Sequence, residues 1–316
     1  MRWRLVLALA AACLFLGALR LVAAVGGFGA AGGLLDRGAL RAADAQLLAA
    51  LPGGVLHYAP NGNFDGTGAF LPASAGFDVA DVADPVYLRK LAADVRVLVW
   101  VGQCEGVTRK FLDTVRPYLG DHRVFGYYLM DDPDARSRLG AAPPCPPQRL
   151  REESDWLHEH APGTKTLIVL MNLSDERRPS YRHSYDPENS HVDLYGLCAY
   201  PCRTEFNGCD RNLISRYVAA SDLAGIPRER LVPIYQAFGG GRWRDDAGGS
   251  YIMPTPAEEA QIIRQWRELV PNPVIDMAYS WGTQRGDLSL HEAAALKALF
   301  WIYNKRVLPS TPARSP

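Results

Sequence analysis

The sequence has 316 residues, 48% apolar and 22% charged, with 34 basic side chains balanced by 34 acidic ones. That composition excludes a disordered chain, which would be poorer in aliphatic residues and richer in net charge, and a nucleic-acid binder that relies on a basic excess against phosphate. Twenty-nine glycines and 23 prolines imply many defined loops between short elements.

Arg2 and Arg4 precede an apolar run over residues 5–19, followed by Arg20 and the small residues Ala23, Ala24, Gly26 and Gly27. This is the layout of an export signal, and the run is shorter than the roughly 20 residues needed to cross a bilayer. Residues 1–27 are therefore expected to be a signal peptide, with an uncleaved signal anchor as the alternative. Residues 28–50 read as a linker, with an introductory helix over 34–51 on the spacing of its leucines and alanines. Residues 51–306 read as the folded domain and 307–316 as a flexible tail. The expected location is secreted or cell-envelope associated, touching a membrane only through an uncleaved anchor.

From residue 55 onward, apolar runs alternate with polar loops and amphipathic segments. Strand-like runs fall at 55–58, 77–82, 95–102, 124–130, 167–172, 192–200, 231–238 and 274–281. They read as continuous apolar stretches, as strands buried on both faces of a parallel sheet do. Helix starts are marked by Asp84-Pro85, by Thr255 followed by Glu258, and by Ser289 followed by Glu292, with a last helix expected over 290–303. Phe111 and Val115, like Ile262 and Trp266, recur at helical spacing. Eight strand–helix units in about 250 residues predict a single-domain (β/α)8 TIM barrel. The rival, an open doubly wound sheet, lacks a glycine-rich phosphate loop after its first strand.

An exported chain can keep disulfides. Beyond Cys13, five cysteines remain. Cys202 and Cys209 bracket a short polar loop, Cys104 and Cys145 each follow a strand, and elimination leaves Cys198 as the thiol. Zinc would call for a CxxC pair or an HExxH motif, and neither is present. No cofactor is expected.

Barrel active sites gather at the C-terminal ends of the strands. The residues there are Tyr58 with Asn61, Asn63 and Asp65 beyond it, then Trp100 with Gln103 and Glu105, then Met130-Asp131-Asp132-Pro133-Asp134. Asn172, Cys198 with Tyr200, Gln236 with Phe238, and Tyr279 with Trp281 follow. The run Gly126-Tyr127-Tyr128-Leu129-Met130-Asp131-Asp132-Pro133 resembles the end of the fourth strand in secreted bacterial TIM-barrel glycoside hydrolases. His191-Val192-Asp193-Leu194-Tyr195-Gly196-Leu197 with Ala199-Tyr200-Pro201 is similar to their sixth strand, and Tyr279-Ser280-Trp281 to their eighth. The resemblance implies an acid/base carboxylate on the fourth strand and a tryptophan under a sugar on the eighth. The chain departs from it at strand seven, where a nucleophilic carboxylate is replaced by Gln236 or a neighbour, and at strand six, where Cys198 stands.

The residues themselves support the fourth strand. If Gly126, Tyr128, Met130 and Asp132 alternate onto one face, Asp132 projects over the barrel mouth, and Asp131 and Asp134 beside it raise its pKa as a general acid requires. The plainer alternative is that these acids cap the next helix. Glycoside hydrolysis normally needs a second carboxylate. Glu105 is the preferred partner, with Asp65, Asp245 and Asp246 as alternatives. Trp100, Tyr128, Tyr200, Tyr235, Phe238, Tyr279 and Trp281 fall at or near strand ends, and Tyr200 and Trp281 are the rings chosen to stack on sugar. Tyr58, Asn63, Asp65, Trp100, Gln103, Asn172 and Gln236 complete the expected substrate-binding set. Asn61, Asn63, Asp65 and Gly66 copy the first half of a calcium loop, but Pro72 stands where a bidentate Glu is required. The expected protein is thus a monomeric hydrolase of a polysaccharide or cell-envelope glycan. The alternatives are a catalytically silent carbohydrate-binding barrel and, behind it, a calcium-stabilised surface protein.

Overall fold

Eight short parallel strands close into a barrel in the computed structural model, which describes residues 54–133, 145–172, 174, 177–244 and 249–305. The strands are β1 Leu56–Tyr58, β2 Val79–Val82, β3 Arg96–Trp100 and β4 Val124–Asp131, then β5 Lys165–Leu170, β6 Leu194–Leu197, β7 Leu231–Gln236 and β8 Ile275–Tyr279. Each pairs in parallel with its sequence neighbours, and β8 pairs with β1 to close the ring. The (β/α)8 barrel read from the sequence is the fold, and each of the eight runs contains one strand. The expected export segment, introductory helix and tail lie outside the described residues, as do Asp134, Asp245 and Asp246.

Among the described residues seven helices pack around the ring: α1 Pro85–Leu88, α2 Arg109–Val115, α3 Pro147–His160, α4 Pro187–Ser190, α5 Leu213–Leu223, α6 Pro256–Leu269 and α7 Ala294–Lys305. Between β1 and β2 a 3-10 turn, Pro72–Ala75, stands where the first helix would be. Two of the three start signals act as expected. Asp84 accepts the Val86 N–H with Pro85 at the first helical position, and Thr255 and Glu258 form a reciprocal capping box. The third does not. Ser289 sits in a two-stranded ladder with Phe238, Glu292 accepts a 3.3 Å hydrogen bond from the Thr283 hydroxyl, and α7 begins only at Ala294.

The interior is filled by Tyr58, Val79, Leu98, Phe125, Tyr128, Leu167, Val169, Ile234 and Met277 among others. On most strands these are two residues apart, the strand period. On β4 they are three apart, because the strand carries two bulges. One residue is inserted between the pairs Val97↔Val124 and Leu98↔Gly126, and another between Tyr128↔Leu167 and Met130↔Ile168. Each insertion flips the parity of every residue after it. The backbone at this strand is closely packed, and a Cβ on Gly126 would run into the Lys165 carbonyl oxygen on β5. Gly126→Ala is expected to cost about 1–3 kcal/mol by forcing the β4–β5 pair apart; urea denaturation that matches the parent would show the pair to be yielding.

Residues of opposite parity meet the helices. His57 on β1 bonds through Nδ1 to Asp276 on β8 at 2.8 Å, and the hydroxyls of Tyr235 and Tyr303 donate to the other Asp276 oxygen at 3.2 and 3.0 Å. This buried network ties β1, β7, β8 and α7 together below the mouth, and it removes Tyr235 from the set of candidate sugar-facing rings.

Cys104–Cys145 and Cys202–Cys209 are disulfide-bonded, and Cys198 is in neither bond. The second bond lies in an antiparallel ladder, Cys202–Arg203 with Gly208–Cys209. That ladder and the one joining Phe238–Gly239 to Leu288–Ser289 stand in the loops beyond β6, β7 and β8. Among the described residues no helix is long and apolar enough to cross a membrane.

Candidate active site

The C-terminal ends of the strands enclose a cavity of about 580 Å³. Among the described residues three carboxyl groups line it, Asp81 from β2 and Asp131 and Asp132 from the end of β4. Two tyrosines from the barrel interior hold two of them. The Tyr128 hydroxyl donates to Asp131 Oδ1 at 2.8 Å, and the Tyr58 hydroxyl donates to Asp81 Oδ2 at 3.1 Å.

The β4 bulges decide which aspartate follows Tyr128 inward. Tyr128 pairs with Leu167 and Asp131 with Val169, both interior residues of β5. Gly126, paired with interior Leu98, and Tyr128 keep the alternation expected of them, and the bulge after Tyr128 breaks it, so that Asp131 takes the interior position expected of Met130 and Asp132. Asp132 lies just past the strand, in the left-handed region at φ 48°, with its N–H on the Val169 carbonyl at 2.9 Å, and it forms part of the cavity wall.

Water reaches the Asp131 carboxyl through the mouth, yet the group sits deep among protein atoms, and burial pushes its pKa above the usual carboxylate range while the Tyr128 hydrogen bond opposes the rise. Burial also raises Asp81, against bonds from the Tyr58 hydroxyl and the Asn61 N–H that favour its anion. Tyr58 stands close to both acids. Burial drives its pKa well up, and the charges of Asp81 and Asp131 add to that.

Aromatic rings make most of the remaining wall. Trp100 meets Tyr128 edge-on with centroids 4.8 Å apart, and Tyr200, Phe238, Tyr251, Trp243 and Tyr279 form a connected cluster with neighbouring centroids 4.9–6.4 Å apart. Asn172 also lines the cavity, its Oδ1 accepting the N–H groups of Ser174 and Ser180 at 3.1 and 2.9 Å. Cys198 lies among these rings, with the Tyr200 hydroxyl 3.6 Å from its sulfur.

The structure thus brings together Tyr58, Trp100, Asp131, Asp132, Asn172 and Tyr200 of the residues expected at the site. Six others lie elsewhere. Glu105 is an exposed loop acid 3.3 Å from Lys110, and Gln103 bonds the Thr114 hydroxyl on α2 at 2.7 Å. Asp65 closes its own turn by accepting from Thr67 and Ala69. Asn63 is buried, donating to Ala59 O at 2.7 Å and accepting from Asp81 N at 2.9 Å, so it supports the strand end that carries Asp81. Asn63 Oδ1 and Asp65 Oδ1, two of the oxygens that a calcium loop would offer, thus accept hydrogen bonds within the protein. Gln236 is buried against backbone, bonding Cys202 N at 2.8 Å and Cys202 O at 2.9 Å, and so props the disulfide ladder. Trp281 lies beyond the end of β8, 1% exposed, packed edge-on against Phe77 and tilted against His291. Tyr279, two residues earlier, lines the cavity in its stead.

Asp81 escaped the sequence reading because β2 is short and interrupted by polar residues. The signal was present: Val79 and Asp81 are two apart at the end of a strand, the same spacing rule used elsewhere. Trp243, Arg244 and Arg285, which also line the cavity, sit on loops that carry no periodic signal. A surface trough of about 610 Å³ between α1 and α2 is lined by Pro85, Arg109, Lys110 and Asp113 and is no rival, since its charged side chains are at least 63% exposed.

No family model and no curated protein matches this sequence. Solved structures share its fold. One is YKL-39, solved in the presence of chitooligosaccharides, at 10% identity and a TM-score of 0.50, over 81% of this chain and 99% of that one. A chitinase from Bacteroides thetaiotaomicron matches at 9% identity and 0.49, over 83% and 99% of the two chains. A chitinase from Flavobacterium johnsoniae matches at 13% and 0.46, over 78% and 93%. At such identities the likeness is one of architecture: this chain has the (β/α)8 barrel that chitinase-like proteins also have.

Proposed function

We propose that the protein is an exported carbohydrate-active hydrolase that cleaves glycosidic bonds in a polysaccharide or cell-envelope glycan. The observation that carries this reading is the Tyr128–Asp131 pair, a carboxyl with a raised pKa that lines a ring-walled cavity and is reached by water through its mouth. A general acid must hold its proton near working pH and release it to the leaving oxygen, and burial provides the first property. Flat rings such as Trp100, Tyr200 and Tyr279 suit the apolar faces of sugar rings. The two disulfides accord with an oxidising compartment.

In this mechanism Asp131 protonates the glycosidic oxygen as the bond to the anomeric carbon breaks, and a water molecule then bonds to that carbon and gives its proton back to Asp131. Asp81, which accepts from both Tyr58 and Asn61, is the charged carboxylate of the pair and stabilises the positive charge developing on the sugar ring. Asp132 lines the same cavity beside Asp131 and is the alternative proton donor. Neither role is assigned to Glu105, which lies outside the cavity. The second reading, a silent carbohydrate-binding barrel, draws on Gln236, whose carboxamide is fully engaged with backbone at the end of β7.

The test is incubation of residues 28–316 with bacterial and plant polysaccharides and with chitooligosaccharides, measuring new reducing ends. Release from at least one glycan is expected. Binding without release across the panel would favour the silent barrel.

A further inference from the structure

The cavity is electrically two-sided. Asp81, Asp131 and Asp132 stand on the β2 and β4 side, while Arg244 and Arg285 enter from the loops after β7 and β8, across the ring. Arg285 lies over the Trp243 indole with its guanidinium carbon 4.2 Å from the ring centroid. Among the described residues no hydrogen-bond acceptor or carboxylate engages that guanidinium. The carboxylate nearest in sequence, Asp287, instead accepts the N–H groups of Gln284 and Arg285 at 3.1 and 2.7 Å. The Trp243 Nε1–H is also shielded from solvent without an acceptor among the described residues. Arg244, beside it, bonds only the Gly241 and Trp243 carbonyls.

Building on the hydrolase reading, we propose that this glycan is acidic, and that Arg285 on Trp243 forms a subsite for a carboxylate borne by a sugar ring, as in a uronate. A guanidinium held flat on an aromatic face keeps its forked N–H edge free and preorganised for a carboxylate, to which it can donate two parallel bonds. A neutral saccharide makes little use of that charge. The opposite wall adds the repulsive half of the selection: an anionic group turned toward Asp81, the carboxylate that keeps its charge in this mechanism, meets like charge, so the substrate enters in one direction. Tyr279 bridges the halves, with its ring 6.4 Å from Trp243 and its pKa raised by burial and then by the charge of Asp131. The carboxylate subsite is therefore displaced from the scissile bond, and it sets affinity and direction, not the chemical step.

The experiment measures binding by calorimetry to the full chain carrying Asp131→Asn, so that no substrate is consumed. The probes are galacturonan, glucuronan and mannuronan oligosaccharides, each as the free acid and as its methyl ester, in which one methyl group per carboxyl removes the charge. For at least one backbone the free acid is expected to bind about tenfold more tightly than the ester, with the preference shrinking as salt rises. Arg285→Ala is expected to reduce that preference below about twofold and Arg285→Lys to retain part of it, at unchanged melting temperature. Equal binding of acid and ester for all three backbones, binding of neither, or a preference that survives in Arg285→Ala would overturn the subsite. Failure here with reducing ends released from a neutral glycan removes only the acidic substrate. A charge preference lost in Arg285→Ala, without hydrolysis of any glycan by the parent, removes the hydrolase and keeps the subsite.

Discussion

Replacing Asp131 with Asn is expected to lower kcat by about 10²–10⁴-fold with little change in the melting temperature. The size follows from what is removed. Asn accepts the Tyr128 hydrogen bond as well as Asp does, so the local packing survives, but it has no proton to give to the leaving oxygen. The register of β4 makes the prediction specific, because Asp131 pairs with the interior residue Val169. Asp132→Asn leaves the Tyr128–Asp131 pair intact, and a smaller loss is expected from it. A larger loss from Asp132→Asn than from Asp131→Asn would exchange their roles. The pH dependence has a fixed sign. A general acid acts while protonated, so kcat/KM falls as pH rises past the raised pKa of Asp131, and this alkaline limb disappears in Asp131→Asn.

A second large effect arises away from the mouth, at Glu153. This α3 side chain is fully buried, and its Oε1 accepts the N–H groups of Glu105 and Gly106 at 3.1 Å each, which fastens the loop holding Cys104 to the helix that follows Cys145. Burial is the main cause that pushes its pKa up to about 8, against the two backbone bonds. Between the ordinary glutamate value of 4.5 and about 8, the folded chain holds a proton that the unfolded chain has released. Stability contributed by this group therefore falls as pH rises through that window and levels off above it, by as much as about 5 kcal/mol in total. Glu153→Gln keeps an acceptor for both N–H groups and cannot ionise. Urea melts at pH 5, 7 and 9 should show the variant losing less stability with pH than the parent; parallel slopes would mean that Glu153 titrates like an exposed acid.

Much of the architecture was legible because the barrel repeats one local pattern. Apolar runs marked all eight strands, Asp84-Pro85 and Thr255 to Glu258 marked two helix starts, and loop position suggested both disulfides. The site was legible only in part, for three physical reasons. Strand parity assumes a period of two, and the β4 bulge after Tyr128 breaks it, which moves Asp131 inward. Loop side chains are placed by partners distant in sequence, which a single chain does not announce. Asn63 is committed to Asp81 N, Gln236 to Cys202, and Ser289 to a ladder with Phe238 where a helix cap was expected. Trp281 illustrates a third limit, since alternation along β8 stops being informative once the strand has ended at Tyr279.

The most direct measurement of whether this mouth is a glycosidase centre is mass spectrometry of the products released from the glycan panel by the parent and by Asp131→Asn, at equal concentration and matched melting temperature. Oligosaccharides from at least one glycan with the parent, and nearly none with Asp131→Asn, are expected. Equal product from both proteins, or none from the parent, would contradict hydrolysis centred on Asp131.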